Sequence, residues 1–186
     1  MLSTILAVLM ASGASGDAVP CTSQEELDSS HLLDVCDSSI GSGPAYSVTF
    51  EASLSPPPAA QQITLVQREE GWVLQIAGYD WQPGTGLVTT RRNVMEIPAA
   101  DAQTLVDRIE EASDRLAKLS FYGDPLAICT DGATTEIAIG ADGKRRSFSQ
   151  HSCAPKSELH EIASEFHAVA LKYDPGFDGM LGGLDQ

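Results

Sequence analysis

His160 and Glu161 stand side by side in a stretch with helical spacing, as the first half of a zinc-hydrolase motif would. A helix brings the next ligand onto the same face four residues on, and that position is Ser164. His167 lies two turns from His160, about 10 Å along a helix axis, too far to share one ion. The two histidines are expected to flank a buried stripe, and no metal site is expected from them. His151, Ser152 and Cys153 place base and nucleophile types in a row, but neighbours on a strand point to opposite faces. Ser149 and His151 do share a face, and a hairpin register would set Glu136 opposite Ser149. A hydrolase with its site near His151 is therefore one alternative reading. Asp174, Asp178 and Asp185 occur among glycines, where carboxylates can wrap calcium, although an EF-hand needs closer spacing and a closing Glu. A divalent-cation-binding protein is a second alternative. Gly84-Thr85-Gly86 lacks the third glycine of a dinucleotide loop, and there is no Gly-Lys-Ser/Thr. No cofactor is expected.

Tyr79, Asp80, Trp81 and Pro83 make an aromatic loop between expected strands, and an exposed Trp/Tyr pair is a good anchor for a partner. Tyr79, Trp81 and His151 are the candidate binding residues. Cys21, Cys36, Cys129 and Cys153 form an even set, which favours two disulfides over zinc or free thiols in an exported chain. Of the three pairings, the local ones, Cys21–Cys36 and Cys129–Cys153, fit best. Cys153 falls opposite Gly132 in the hairpin register, close in sequence to Cys129. No C-x-x-C is present, and oxidised sulfurs are not nucleophiles.

Export is expected from Met1 to Gly16. An apolar run from Ile5 to Ala11 precedes small residues, and Ala14 and Gly16 suit a cleavage site that leaves Asp17 as the new start. The run carries no Lys or Arg before it and is too short to span a bilayer, so no membrane insertion is expected once it is removed. The formal charge of −15 argues against nucleic acid and against anionic lipid, both of which need Lys and Arg. It permits a basic protein partner, and the partner expected is another envelope protein. A chain of 186 residues with 42% hydrophobic content can bury one real core.

The elements that must position these residues follow from periodicity. A short helix is expected from Ser23 to Leu33, capped by Ser23. Tyr46, Val48 and Phe50 alternate in a strand from Ala45 to Leu54, which three prolines end. Ile63–Arg68 and Trp72–Ala77 flank Glu69-Glu70-Gly71 as a hairpin, and Leu87–Ile97 reads as a further strand after a Gly78–Gly86 loop. Leu105, Ile109, Ala112, Leu116 and Leu119 recur at three and four in a helix from Asp101, the expected cap. Glu111–Arg115 and Asp114–Lys118 are favourable pairs along it. Asp142-Gly143 predicts a tight turn that sets Ile139 opposite Arg146 and Ile137 opposite Phe148. A second helix from Lys156 to Lys172 carries Leu159, Ile162, Phe166 and Val169. Arg91-Arg92 and Lys144-Arg145-Arg146 read as edge-strand charges.

From Pro98 onward the order helix, strand, turn, strand, helix resembles a group of uncharacterised exported bacterial domains. The likeness lies in Ala102 to Ile109 and in Thr134-Thr135-Glu136-Ile137-Ala138-Ile139 leading into Asp142-Gly143-Lys144, and covers about half the chain. It implies a fold and export, with no activity attached. The expected whole is an α+β domain over residues 45–173, an antiparallel sheet of five or six strands with two helices packed on one face. A signal peptide (1–16), a polar disulfide-stapled segment (17–44) and a flexible acidic, Gly-rich tail (174–186) surround it. The expected role is a periplasmic or secreted, non-enzymatic binding or inhibitor-like module.

Overall fold

The computed structural model describes residues 16–21, 32–37, 43–52, 59–122 and 132–177. They build one antiparallel sheet of seven strands in the order β1-β7-β6-β2-β3-β4-β5. The strands are β1 (Val19–Pro20), β2 (Ala45–Ala52), β3 (Ala60–Arg68), β4 (Gly71–Gln82), β5 (Gly86–Ile97), β6 (Ala133–Ala141) and β7 (Lys144–His151). Helices α1 (Ala99–Leu116) and α2 (Glu158–Tyr173) follow β5 and β7. The α+β class is as expected, but the sheet exceeds the expected five or six strands. The extra strand is β1, whose two residues are too few to carry a periodic signal. Val19 and Pro20 pair with Arg145 and Lys144 at the edge of β7.

Turn chemistry sets the hairpins. Asp142 and Gly143 both take positive φ, +53° and +68°, which a two-residue hairpin turn requires. The register follows, with Ile139 opposite Arg146, Ile137 opposite Phe148 and Glu136 opposite Ser149. The Gly78–Gly86 stretch is not the expected loop. β4 runs on to Gln82, β5 restarts at Gly86, and only Pro83-Gly84-Thr85 turns between them. Thr90 is the extra residue at a bulge between the Gly78–Arg91 and Tyr79–Thr89 pairs, and its hydroxyl donates to the Gly78 carbonyl at 3.1 Å. The bulge lets pairing continue past the glycine, whose absent side chain had read as a break.

Both helices pack on the same sheet face. Tyr46, Val48, Ile63, Leu65, Leu74, Ile76, Ile137 and Phe148 alternate along their strands toward that side. Leu105, Ile109 and Leu116 of α1 and Leu159, Ile162 and Phe166 of α2 complete this core. Asp101 is not the cap of α1. Pro98 holds that position without a side-chain bond, and Asp101 sits in the first turn. Its carboxylate instead accepts from the Lys172 ammonium at 2.6 Å and from the Tyr173 hydroxyl, tying the start of α1 to the end of α2. Arg115 likewise reaches across to Glu158 at 2.7 Å, where Arg108 also lands. The two guanidinium groups hold the Glu158 carboxyl down at about 2, against a smaller opposing effect of burial.

The core does not stop where the flexible tail was expected to begin. Asp174 is buried and Phe177 is fully buried in the main core. Residues 178–186, with Asp178 and Asp185, lie outside the described ones, as do Met1 to Ser15 and most of the short helix expected from Ser23.

Candidate functional site

The sheet face turned away from the helices is polar yet largely covered. Ser47 and Thr49 of β2, Gln62 and Thr64 of β3 and Gln75 of β4 are all buried there. Part of the cover is a strap of residues 32–37. Gln62 holds it as a strand would: its amide oxygen accepts from the Leu33 N–H at 3.1 Å and its amide nitrogen donates to the Leu33 carbonyl at 2.8 Å. The same amide nitrogen donates to the Thr49 hydroxyl at 3.2 Å. Val35 closes on Gly140, where a Cβ would come within 2.5 Å of the Val35 carbonyl oxygen, so only glycine admits the strap. Asp34 pairs with Arg145 of β7 at 3.1 Å.

The Cys21–Cys36 disulfide joins the far end of the strap to the segment after β1, as expected, with the Cys21 N–H donating to the Gly143 carbonyl at 2.8 Å. Cys153 is also disulfide-bonded. The expected Cys129–Cys153 pairing involves Cys129, which lies outside the described residues. Replacing Cys21 and Cys36 together by serine is expected to lower the free energy of unfolding by about 2–3 kcal/mol, since the bridge closes a loop spanning 15 residues. Urea unfolding of the two forms measures it.

Between strap and sheet lies a cavity of about 210 Å³. Among the described residues its ionisable lining is Asp34, Glu51, Glu136 and Arg145. Glu136 faces Thr49 across the β2–β6 pair, and Glu51 faces Thr134, so the two glutamates are diagonal neighbours on one face. Arg145 donates to Glu136 at 2.7 Å. Burial still raises the Glu136 carboxyl above its ordinary value, opposed by Arg145 and helped by the charges of Glu51 and Asp34. Glu51 is exposed at the outer end of β2, where partial desolvation by its neighbours still raises its carboxyl, and its side chain has no partner among the described residues. Two such carboxyls can exchange a proton or hold a cation. Sequence reasoning missed this cluster. Ser47, Thr49 and Glu51 alternate with Tyr46, Val48 and Phe50, and only the apolar half of that alternation reads as buried.

The three candidate binding residues do not form one surface. Tyr79 is buried, its hydroxyl donating to Gln62 Oε1 at 3.2 Å beneath the strap. Burial raises its pKa. Trp81, two residues on, is 65% exposed. The last β3 partner of β4 is Tyr79, opposite Ala60, so Asp80 to Gln82 and their partners Gly86 to Val88 extend past β3 as a two-stranded arm with Trp81 on it. His151 belongs to β7, four strand spacings from β4, or roughly 19 Å away.

The His151 ring packs against Phe121 and Tyr122, with centroids 5.9 and 5.4 Å away. Its Nδ1 accepts from the Cys153 N–H at 3.2 Å, and a Cβ on Gly132 would meet its Cε1 at 2.5 Å. Glu136 is bonded to Arg145, so the geometry does not draw Ser149, His151 and Glu136 together as a triad. His160 serves as a helix-start residue: its Nδ1 accepts from the Ser157 N–H at 3.4 Å, and burial, with nearby Lys156, lowers its pKa. His167 packs its ring on Phe177 at 5.8 Å. Asp174 is bonded to Arg91 and Asn93. Among the described residues no group of three His, Cys, Asp or Glu is placed to hold a metal ion. No protein-family model matches the chain, and a search of curated proteins finds no significant relative.

Proposed function

We propose that the chain is an exported protein of the periplasm or cell exterior that acts as a non-enzymatic, inhibitor-like binding module, gripping an envelope protein with its β4–β5 arm. The observation that carries the reading is Trp81, 65% exposed on a hairpin extension rooted in a well-packed sheet. A tryptophan in water leaves a large apolar area unburied, and such residues dominate the energetics of protein interfaces. The arm is pre-organised by its backbone ladder, so binding orders little new chain. The Cys21–Cys36 bridge fits an oxidising compartment. No described helix is long and apolar enough to cross a membrane. The charge of −15 favours a basic surface on the partner.

The test is capture from an envelope extract by immobilised wild-type and Trp81→Ala chains. Trp81→Ala is expected to leave the melting temperature within about a degree or two, because it removes little buried surface. It is expected to weaken the captured complex about thirtyfold or more, the size of an interface hot spot. A complex held equally well by both chains, or none held by either, would sink this reading.

A further inference from the structure

The strap-covered cavity has no part in the arm's reading and has the features of a ligand site in its own right. Three carboxylates, from Asp34, Glu51 and Glu136, line it against one guanidinium, from Arg145. Asp34 and Glu136 both form ion pairs with Arg145, so the charge left over lies on Glu51. A second feature is independent of the carboxylates. Ser47 lines the same cavity, is only 3% exposed, and its hydroxyl has no hydrogen-bond partner among the described residues. Ser47 is otherwise covered and its hydroxyl is not sealed off, so that hydroxyl opens onto the cavity, where a ligand can meet it. Ser47, Thr49 and Glu51 stand on one face of β2, roughly 7 Å from one to the next. They form a polar row with Glu51 at its outer end. Leu33, Val35 and Ala138 add apolar wall alongside it.

We propose that this cavity binds an alkylammonium group, its charge set between Glu51 and Glu136 and its stem running along β2 toward Ser47 under the strap. An anion would face the excess of carboxylates. A guanidinium would repeat what Arg145 already supplies to Asp34 and Glu136. A divalent metal would need three ligands, which the described residues do not bring together. An ammonium has three donors and no acceptor, which suits carboxylate and hydroxyl oxygens. Its stem suits the apolar wall. Desolvation raises the Glu51 and Glu136 carboxyls and an entering cation opposes it, so binding expels protons and strengthens as pH rises through their raised values. Among the described residues, Asp34, Arg145, Glu51 and Glu136 are the charged groups facing that space.

The chemistry occurs both in lysine side chains of a protein and in free diamines. Calorimetry with the full chain would use Nα-acetyl-lysine methylamide, cadaverine, and the lysine compound acetylated on Nζ. Binding of either amine, without binding of the acetylated compound, supports the proposal, and the tighter of the two names the source. Glu51→Gln is expected to weaken the amine about tenfold while leaving the fold intact, because Glu51 makes no described contact that would be lost. Ser47→Ala is expected to weaken it less, by about threefold, without altering the pH dependence. Equal binding of the amine and its acetylated form overturns the proposal. So does an affinity that Glu51→Gln leaves unchanged, or no heat from either amine at millimolar concentration. Capture through Trp81 is unaffected in each case, which keeps this test separate from that of the arm.

Discussion

Phe166→Ala is expected to lower the free energy of unfolding by about 4 kcal/mol. Phe166 is fully buried on α2, in the core where both helices meet the sheet. The substitution removes most of an aromatic side chain and leaves a cavity lined by residues that secondary structure holds in place, so it cannot collapse fully. Against a total of about 5–15 kcal/mol for a domain of this kind, that loss is a large share. Denaturant unfolding should show a lower midpoint at an unchanged slope. A loss under 1 kcal/mol would mean that α2 is not seated on the sheet as described.

Asp174→Ala is expected to lower the unfolding free energy by about 3 kcal/mol near neutral pH. The carboxylate is buried at the end of α2 and accepts from the Arg91 guanidinium, from Asn93 at 3.3 Å and from the Gly176 N–H at 3.0 Å. Arg91 also donates to the Gly176 carbonyl at 3.0 Å. Without Asp174 these donors lose a charged acceptor on the core side of β5. Burial works against the charged form of Asp174, but its hydrogen bonds outweigh that and hold its pKa below the ordinary value. Its folded pKa is therefore lower than its unfolded one. The contribution is whole above the unfolded value of about 3.9 and fades as pH falls through the folded one. Wild-type stability should drop below about pH 4 more steeply than that of Asp174→Ala, so the two curves converge in acid. Parallel curves down to pH 2 would show that the ion pair contributes nothing.

Much of the fold was legible because local chemistry dictated it. Asp142-Gly143 accepts the positive φ values that a two-residue turn demands, and the whole β6–β7 register followed from that one dipeptide. The stripe of α1 was legible for the same reason, since its period matches the buried residues from Ala102 to Leu116. What was not legible depended on tertiary partners. Arg115 faces Glu111 along its own helix but bonds to Glu158 of the other one. Arg91 and Arg92 do lie on the edge strand β5, as expected, but their partners were not legible: Arg91 is drawn to Asp174 on one face and Arg92 donates to Gln75 at 3.0 Å on the other. The arm was misread because Gly78, Pro83 and Gly86 all signal loop, and only the bulge at Thr90 lets strand pairing continue past the first of them. Trp81 and Tyr79 were singled out together, but strand pairing and the strap give them opposite environments. The cavity was invisible because a polar strand face reads as solvated until something is known to cover it.

Val19, Pro20 and the strap find their places on parts of the protein made much later. Val19 and Pro20 complete a sheet edge supplied by Lys144 and Arg145, and the strap lies against β2, β6 and β7. The Cys21–Cys36 bridge spans a short stretch and can close as soon as both sulfurs reach an oxidant. A vectorially emerging polypeptide would therefore carry a preformed ring ahead of its strands, waiting for the last hairpin to give it a seat. Ribosome-stalled or export-arrested chains truncated before Lys144 should hold that ring oxidised yet undocked.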